Sequence, residues 1–380
     1  MKKFTVIMLV LLVAASVFAT GSQEKVTPSV ASDSESSVYD GIQPLENKTR
    51  LVISTHAGTH HGFIVYLIKQ FGGYEKAGID AEIITFSNGP VQMESLASNS
   101  WDCGTTGLGG VLNGVLRNNL VVIGPAAKDN ASINIYAKNT TDIVKTGPTT
   151  AHNVYGIADQ WKGREIVATT GSTIHHTLAL GLADLGLSLN DVKVTHMDVS
   201  SANTALLAGK ADIGGVWGAY AYGEALNANY TKVMGAGDLE TNISVTLVAN
   251  PNSYADPAKK AAIAKFVELF YATTAWVYAD NGANLDKAAK YFTAISEESG
   301  VTSTEKANMT TLTHDTLYTL DEAYKMFNDK TADGLMPLYA GHRGPLAFYV
   351  NTIGNYTASD LANFKVDNFD ASIVNRLYKK

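Results

Sequence analysis

The stretch Arg50-Leu51-Val52-Ile53-Ser54, followed by Thr55-His56-Ala57-Gly58-Thr59-His60-His61-Gly62, decides how the rest is read. Five residues of mostly apolar character are too few for a helix and read as a buried strand. The glycine, hydroxyl and imidazole residues after them read as a loop, and Gly62 to Gly72 then has the spacing of a helix. The same rhythm continues. Ala81 to Phe86 reads as a strand, Val91 to Ser98 as a helix, Trp101 to Thr105 as a strand, Leu108 to Arg117 as a helix and Leu120 to Ile123 as a strand. Strand, helix, strand in this order predicts parallel βαβ units with helices on both faces of a sheet.

A second alternating block follows. Its strands are Ile133 to Ala137, Glu165 to Ala168, Val192 to Met197 and Ala211 to Val216; its helices are a patch near Ile157 to Trp161, Ser172 to Leu185 and Asn203 to Ala208. After a last strand-like run, Ile243 to Ala249, the pattern becomes almost wholly helical. Asp256-Pro257 reads as a cap followed by proline at the first helical position. Further helices are expected over Asn284 to Ile295, Ser303 to Thr310 and Leu320 to Asn328, with Tyr339 to Pro345 a loop that could rim the cleft.

Composition bounds the function. A chain of 380 residues allows about two domains at roughly 150 residues each. Hydrophobic residues at 46% and charged residues at 17% describe an ordered globular protein. A net charge of −7 without a basic run argues against a nucleic-acid partner. Cys103 stands alone, which leaves no internal disulfide and no all-cysteine metal cluster. Lys2 and Lys3 precede an apolar run from Phe4 to Ala15, and Val17-Phe18-Ala19 supplies the small residues of a signal-peptidase site. Residues 1–19 are therefore expected to be a signal peptide cleaved after Ala19, with a periplasmic destination. The run is shorter than the ~20 apolar residues of a membrane span, although an uncleaved signal could still act as an anchor. Residues 20–48, rich in Ser, Glu and Asp, read as a flexible leader.

In open α/β sheets ligands bind beyond the carboxyl ends of strands, so the loops there carry the function. Gly58, Thr59 and His60 follow the first strand, Ser87 and Asn88 the second, and Thr105 and Thr106 the third. In the second block Gly171, Ser172, Thr173 and His175 open a helix, and Trp217 and Tyr220 follow the last strand. Glycines and hydroxyls at helix starts offer unpaired N–H groups and the positive end of the helix dipole, which suit an anion without Lys or Arg.

These loops resemble those of the periplasmic substrate-binding proteins of ABC importers, in the aliphatic sulfonate, taurine and nitrate group. The resemblance rests on Phe86-Ser87-Asn88-Gly89-Pro90 with Glu94, Asp102-Cys103-Gly104-Thr105-Thr106-Gly107 and Thr170-Gly171-Ser172-Thr173-Ile174-His175. It extends to Leu185 to Val192 and Gly209 to Trp217. It implies a two-lobed type II periplasmic binding protein fold, each lobe a mainly parallel sheet flanked by helices. Two hinge crossings would fall near Asp129 and Ile243, and the helical C-terminal extension would pack on lobe one. Lobe one would comprise residues 49–130 and 246–380, and lobe two residues 131–245. The function implied is capture of a small organic anion, or of a related small polar or heteroaromatic solute, and its delivery to a membrane permease. A monomer without a cofactor is expected. Two departures bear on the solute: Gly218 and Ala219 stand where the family often has an acidic residue and proline, and Thr170 where it has lysine.

Two other readings of the same residues compete. Five of the nine histidines, His56, His60, His61, His175 and His176, lie in cleft loops, and imidazoles from separate loops can bind a divalent metal. The spacing matches no zinc motif, and neighbours on one helix point about 100° apart. Ser172 with His175 or His176 could be drawn as a catalytic dyad, but no nucleophile elbow surrounds it. Some relatives build a thiamine pyrimidine from their own histidine with a cysteine-rich segment, which a single cysteine cannot supply.

Overall fold

The computed structural model describes residue 35 and residues 37–379, apart from 242 and 353–355. The segment expected to be a signal peptide lies outside the described residues. Ten strands occur among those described: β1 (Thr49–His56), β2 (Ile79–Phe86), β3 (Cys103–Thr106), β4 (Val121–Lys128), β5 (Asn134–Lys138), β6 (Glu165–Ala168), β7 (Lys193–His196), β8 (Ile213–Val216), β9 (Tyr230–Gly235) and β10 (Ser244–Ala249). The helices of seven or more residues are α1 (His60–Gln70), α2 (Gly89–Leu96), α3 (Leu108–Asn118), α4 (Thr173–Asp184), α5 (Val199–Leu207), α6 (Pro257–Val277), α7 (Leu285–Glu298), α8 (Glu305–His314), α9 (Leu320–Asn328), α10 (Pro337–Thr352) and α11 (Ser372–Tyr378).

The strands form two five-stranded sheets, ordered β2-β1-β3-β10-β4 and β7-β6-β8-β5-β9. In each, four strands share a direction and one runs against its neighbours, β10 in the first and β5 in the second. The opposed strand is in both cases the one entered just after the chain passes between the sheets. Both sheets are therefore mixed, where alternation alone suggests purely parallel βαβ units. The two passages, residues 129–133 and 236–243, are joined by Asp129 N–H donating to the Ile243 carbonyl at 3.1 Å and Ile243 N–H donating to Asn130 Oδ1 at 3.0 Å.

Local chemistry sets the helix starts. Asp256 accepts from Lys259 N–H at 2.9 Å and Pro257 opens α6, as its sequence signature requires. The α6 face bearing Ile263, Phe266, Val267 and Phe270 is buried, and Tyr271 donates to the Pro125 carbonyl at 2.8 Å, which ties the helix to β4.

Three expectations need correction. Residues 37–48, read as flexible, are docked: Tyr39 is fully buried with its hydroxyl 2.9 Å from that of Thr273, and Leu45 N–H donates to the Ala77 carbonyl. Their polar composition hid one buried aromatic anchor. Tyr339 to Pro345 is helix, part of α10, because Pro345 lies inside a run whose other face buries Leu338, His342 and Leu346. The helical tail also reaches beyond the first sheet. Lys306 pairs with Glu224 at 2.7 Å, Tyr222 donates to Asp315 at 3.3 Å, and Tyr349 of α10 sits 5.1 Å from the His176 ring of α4. No described helix is long and apolar enough to cross a membrane.

Candidate functional site

A pocket with an empty volume of about 510 Å³, partly open to solvent, lies where the loops of the two sheets meet. Each contributing loop is shaped by its own polar chemistry. Thr59 caps α1: its hydroxyl accepts from Gly62 N–H at 3.1 Å and donates to the His56 carbonyl at 2.9 Å. That pair turns His60 and His61 inward on the first helical turn, where both are buried. Asn88 caps α2 by accepting from Val91 N–H at 3.1 Å. Across the pocket stand Ser172 and Thr173 at the start of α4, with Trp217 and Gly218 after β8.

Of the residues expected at the site, Thr59, His60, Asn88, Ser172, Thr173 and Trp217 line this pocket. The others do not. Thr105 is consumed in the core, its hydroxyl 2.7 Å from that of Thr55 and 2.8 Å from His61 Nδ1. Thr106 is fully buried below the lining, its hydroxyl without a partner. Ser87 is exposed and accepts from Asn88 Nδ2. Gly58 and Gly171 stand next to lining residues: a β-carbon on Gly218 would fall 3.6 Å from the Gly58 carbonyl oxygen, and one on Gly171 3.7 Å from Pro90 Cγ. His175 is turned back, its Nδ1 accepting from Gly171 N–H at 3.3 Å, and Tyr220 lines a separate groove beside α5 and α8.

The wall also contains residues that reading by loops left out. His56 and His61, noted among the cleft histidines, line it, as do Gly89, Pro90, Gly107, Gly109, Gly110, Ile133 and Asp129. Asp129 sits in the first passage between the sheets, a position strand-end reasoning does not reach. Burial, and after it the neighbouring Asp315 carboxylate, pushes its carboxyl well above the ordinary carboxylate range. The histidines are held neutral by burial: His56 is pushed down to about 4, and His61 well below its usual value by burial and the adjacent rings.

Chemically the pocket is a set of neutral imidazoles, one carboxyl and helix starts. The amino ends of α3 and α4 have no side-chain cap, since Gly107 has no side chain and the Ser172 hydroxyl donates instead to the Thr169 carbonyl at 2.7 Å. Their first N–H groups are available to an acceptor. The same Ser172 bond occupies its proton, so no serine–histidine dyad is assembled. Among the described residues no group of three or more His, Cys, Asp or Glu side chains is arranged to hold a metal ion. His56 Nε2 is engaged by Gln92 at 3.0 Å and His61 Nδ1 by Thr105. Cys103 is buried in β3, and burial raises its thiol well above the usual range.

The two halves touch closely at one point. A β-carbon on Gly109 would fall 2.0 Å from the Gly171 carbonyl oxygen, so α3 and the α4 loop approach as only glycine allows.

The same arrangement of sheets occurs in solved structures. The periplasmic aliphatic sulphonate binding protein SsuA from Escherichia coli superposes with a TM-score of 0.60 at 18% identity, covering 84% of this chain and 98% of that one. The periplasmic nitrate-binding protein NrtA from Synechocystis PCC 6803 gives 0.62 at 11% identity, covering 88% and 89%. At these identities the likeness is one of fold. In sequence, a Brucella abortus (strain 2308) protein provisionally named a binding protein is 28% identical over 154 residues, which is 40% of this chain and 43% of that protein. An Escherichia coli (strain K12) protein provisionally named an aliphatic sulfonates-binding protein is 29% identical over 171 residues, 44% of this chain and 49% of the other. The matched region thus spans less than half the length of these curated relatives. The NMT1/THI5-like family model matches residues 59–283, from the cap of α1 to the turn after α6, taking in every loop that lines the pocket. The chain belongs to the NMT1/THI5-like family.

Proposed function

We propose that this protein is an extracytoplasmic solute-binding protein: it encloses a small polar solute between two lobes and hands it to an ABC permease, with no chemistry of its own. One observation carries the reading. The pocket draws its lining from both sheets, with His60 and Asn88 on one side and Ser172 and Trp217 on the other. A solute touching both sides stabilises the closed arrangement over the open one, which is the requirement for closure by hinge motion. The two passages, Asp129 to Ile133 and 236–243, are the hinge in this reading, with residues 49–130 and 246–380 as one lobe and 131–245 as the other. Uncapped helix starts on α3 and α4 suit an acceptor group of the solute, and Trp217 suits its apolar part. The names of the relatives, binding proteins for sulphonate and nitrate among them, support the class.

The test is compaction. Solute that co-purifies with the protein is identified by mass spectrometry, removed by partial unfolding and dialysis, and added back while small-angle scattering follows the radius of gyration. A decrease on readdition is expected. Gly109→Ala, which places a methyl group against the Gly171 carbonyl, should lose that decrease and bind at least about tenfold more weakly, while its apo melting temperature stays close to that of the parent. Unchanged dimensions with every solute tried, in the parent protein, would end the transport reading.

A further inference from the structure

Resting on that reading, we propose that the solute presents an N–H donor, as an amine, amidinium or amide nitrogen, to a corner of the pocket formed by Asp129 and His60, and that a simple oxyanion is not what this corner accepts. His60 supplies the first observation. Its Nε2 lies 3.2 Å from the Lys128 carbonyl oxygen, and a carbonyl can only accept, so the ring proton sits on Nε2. Burial disfavours a second proton on the ring. Nδ1 is therefore a bare acceptor, and it is buried without a hydrogen-bond partner in a side chain only 1% exposed that lines the pocket. A buried acceptor left in this way lacks a donor that something must bring.

Asp129, next in the chain to the carbonyl that orients His60, adds the second. Its carboxyl has no ion-pair partner among the described residues, and no Lys or Arg lines the pocket. The nearest cation in sequence, Lys128, is committed elsewhere: its ammonium pairs with Glu322 at 2.7 Å and stands over the Tyr318 ring. Asp315 fixes the corner from behind. It is fully buried and accepts from Ala131 N–H at 2.7 Å and Ser132 N–H at 3.3 Å, which holds the passage immediately after Asp129. Its charge acts on both His60 and Asp129. An oxyanion brought here meets the His60 lone pair and the Asp315 charge behind it with no counter-charge, whereas an N–H donor satisfies His60, and a cationic one also lets Asp129 release to solvent the proton that burial holds on it. The opposite wall, with its free helix N–H groups, takes an acceptor on the same solute. The pocket thus sorts solutes by polarity along its length: acceptor end toward α3 and α4, nitrogen end toward the passage between the sheets.

The test uses three probes of one shape and different charge: acetate, acetamide and acetamidinium, titrated at neutral pH into the solute-free protein and followed by nuclear magnetic resonance shifts. Acetamidinium is expected to bind about tenfold or more tightly than acetate, with acetamide between them. Asp129→Asn should bring the first and last within about threefold of each other, its fold checked by circular dichroism. Acetate binding as tightly as acetamidinium, an undiminished preference in Asp129→Asn, or no binding by any of the three overturns the inference. The ordering in the parent protein decides the matter even where the variant fails to fold. A protein that compacts around another solute while ignoring acetamidinium loses this inference and keeps its role as a binding protein.

Discussion

Two histidine groups occupy matching places in the chain, and the molecule uses them differently. His60 and His61 open α1 after β1; His175 and His176 lie in the first turn of α4 after β6. All four are buried. The first pair, with His56, faces the pocket. Behind the second pair stands α10: Tyr349 lies 6.5 Å from His175 and 5.1 Å from His176, with Phe348 5.5 Å from His176 on its edge. A strand-end position therefore places a side chain near the pocket, but what packs over it decides whether it lines the pocket or joins the core. The elements that decide lie more than 150 residues downstream, in the helical tail.

The largest effect that tests this contrast is acid. His56 of the first group and His176 of the second are both pushed down to about 4 by burial, from an ordinary value of 6.5. Between those two values the unfolded chain binds protons that the folded chain does not, so stability rises with pH. It is fully present above about 6.5 and declines as pH falls toward 4, by about 3 kcal/mol per ring. Urea midpoints at pH 7.5 and 4.5 measure it. His176→Phe is expected to remove one ring's share of the loss and leave that of His56. An acid loss identical in parent and variant would mean that His176 is not kept neutral by its surroundings.

Next in size is Tyr349→Ala. Truncating a ring that is 3% exposed should cost about 3 kcal/mol in denaturant unfolding, while affinity for the co-purified solute changes by no more than about threefold. A large affinity loss at unchanged stability would place the α10 side of α4 in the site and dissolve the distinction between the groups.

The smallest change separates the two rings most directly. His176 Nδ1 is buried without a partner, so His176→Phe removes an unsatisfied polar atom and should alter stability at pH 7.5 by less than about 1 kcal/mol, with affinity unchanged. His60→Phe also gives up the hydrogen bond to the Lys128 carbonyl, so it should cost about 1–3 kcal/mol of stability and lose at least about tenfold in affinity. Equal behaviour of the two variants in solute binding would break the comparison.

Much of the architecture is legible in the sequence. The strand of Glu165 to Ala168 and the helix of Leu320 to Asn328 agree to the residue, because turn residues bound short apolar runs there and Thr319 with Glu322 forms a capping box. β9, residues Tyr230–Gly235, was missed: Thr231 and Lys232 interrupt its apolar character, since β9 pairs only with β5, at the edge of its sheet. Thr59, Asn88 and Ser172 line the pocket and could be picked out in the sequence because loops after strands and helix starts leave a local signature. Asp129 carries no such signature. It is one acidic residue in a passage, and only the fold buries it beside Asp315 and brings it into the same pocket lining as His56, His60 and His61.

What the sequence alone determined is local: where apolar runs end, which residues cap helices, and that two α/β blocks precede a helical tail. These follow from backbone hydrogen bonding and burial within about ten neighbouring residues, so they can be read in order. Which hydroxyls are spent inside the protein, as Thr105 is between Thr55 and His61, and which ring nitrogens of pocket-lining residues are left without a partner, as His60 Nδ1 is, were decided by tertiary structure. A hydrogen bond saturates its partners, and for these groups the partners come from strands and helices far apart in the chain.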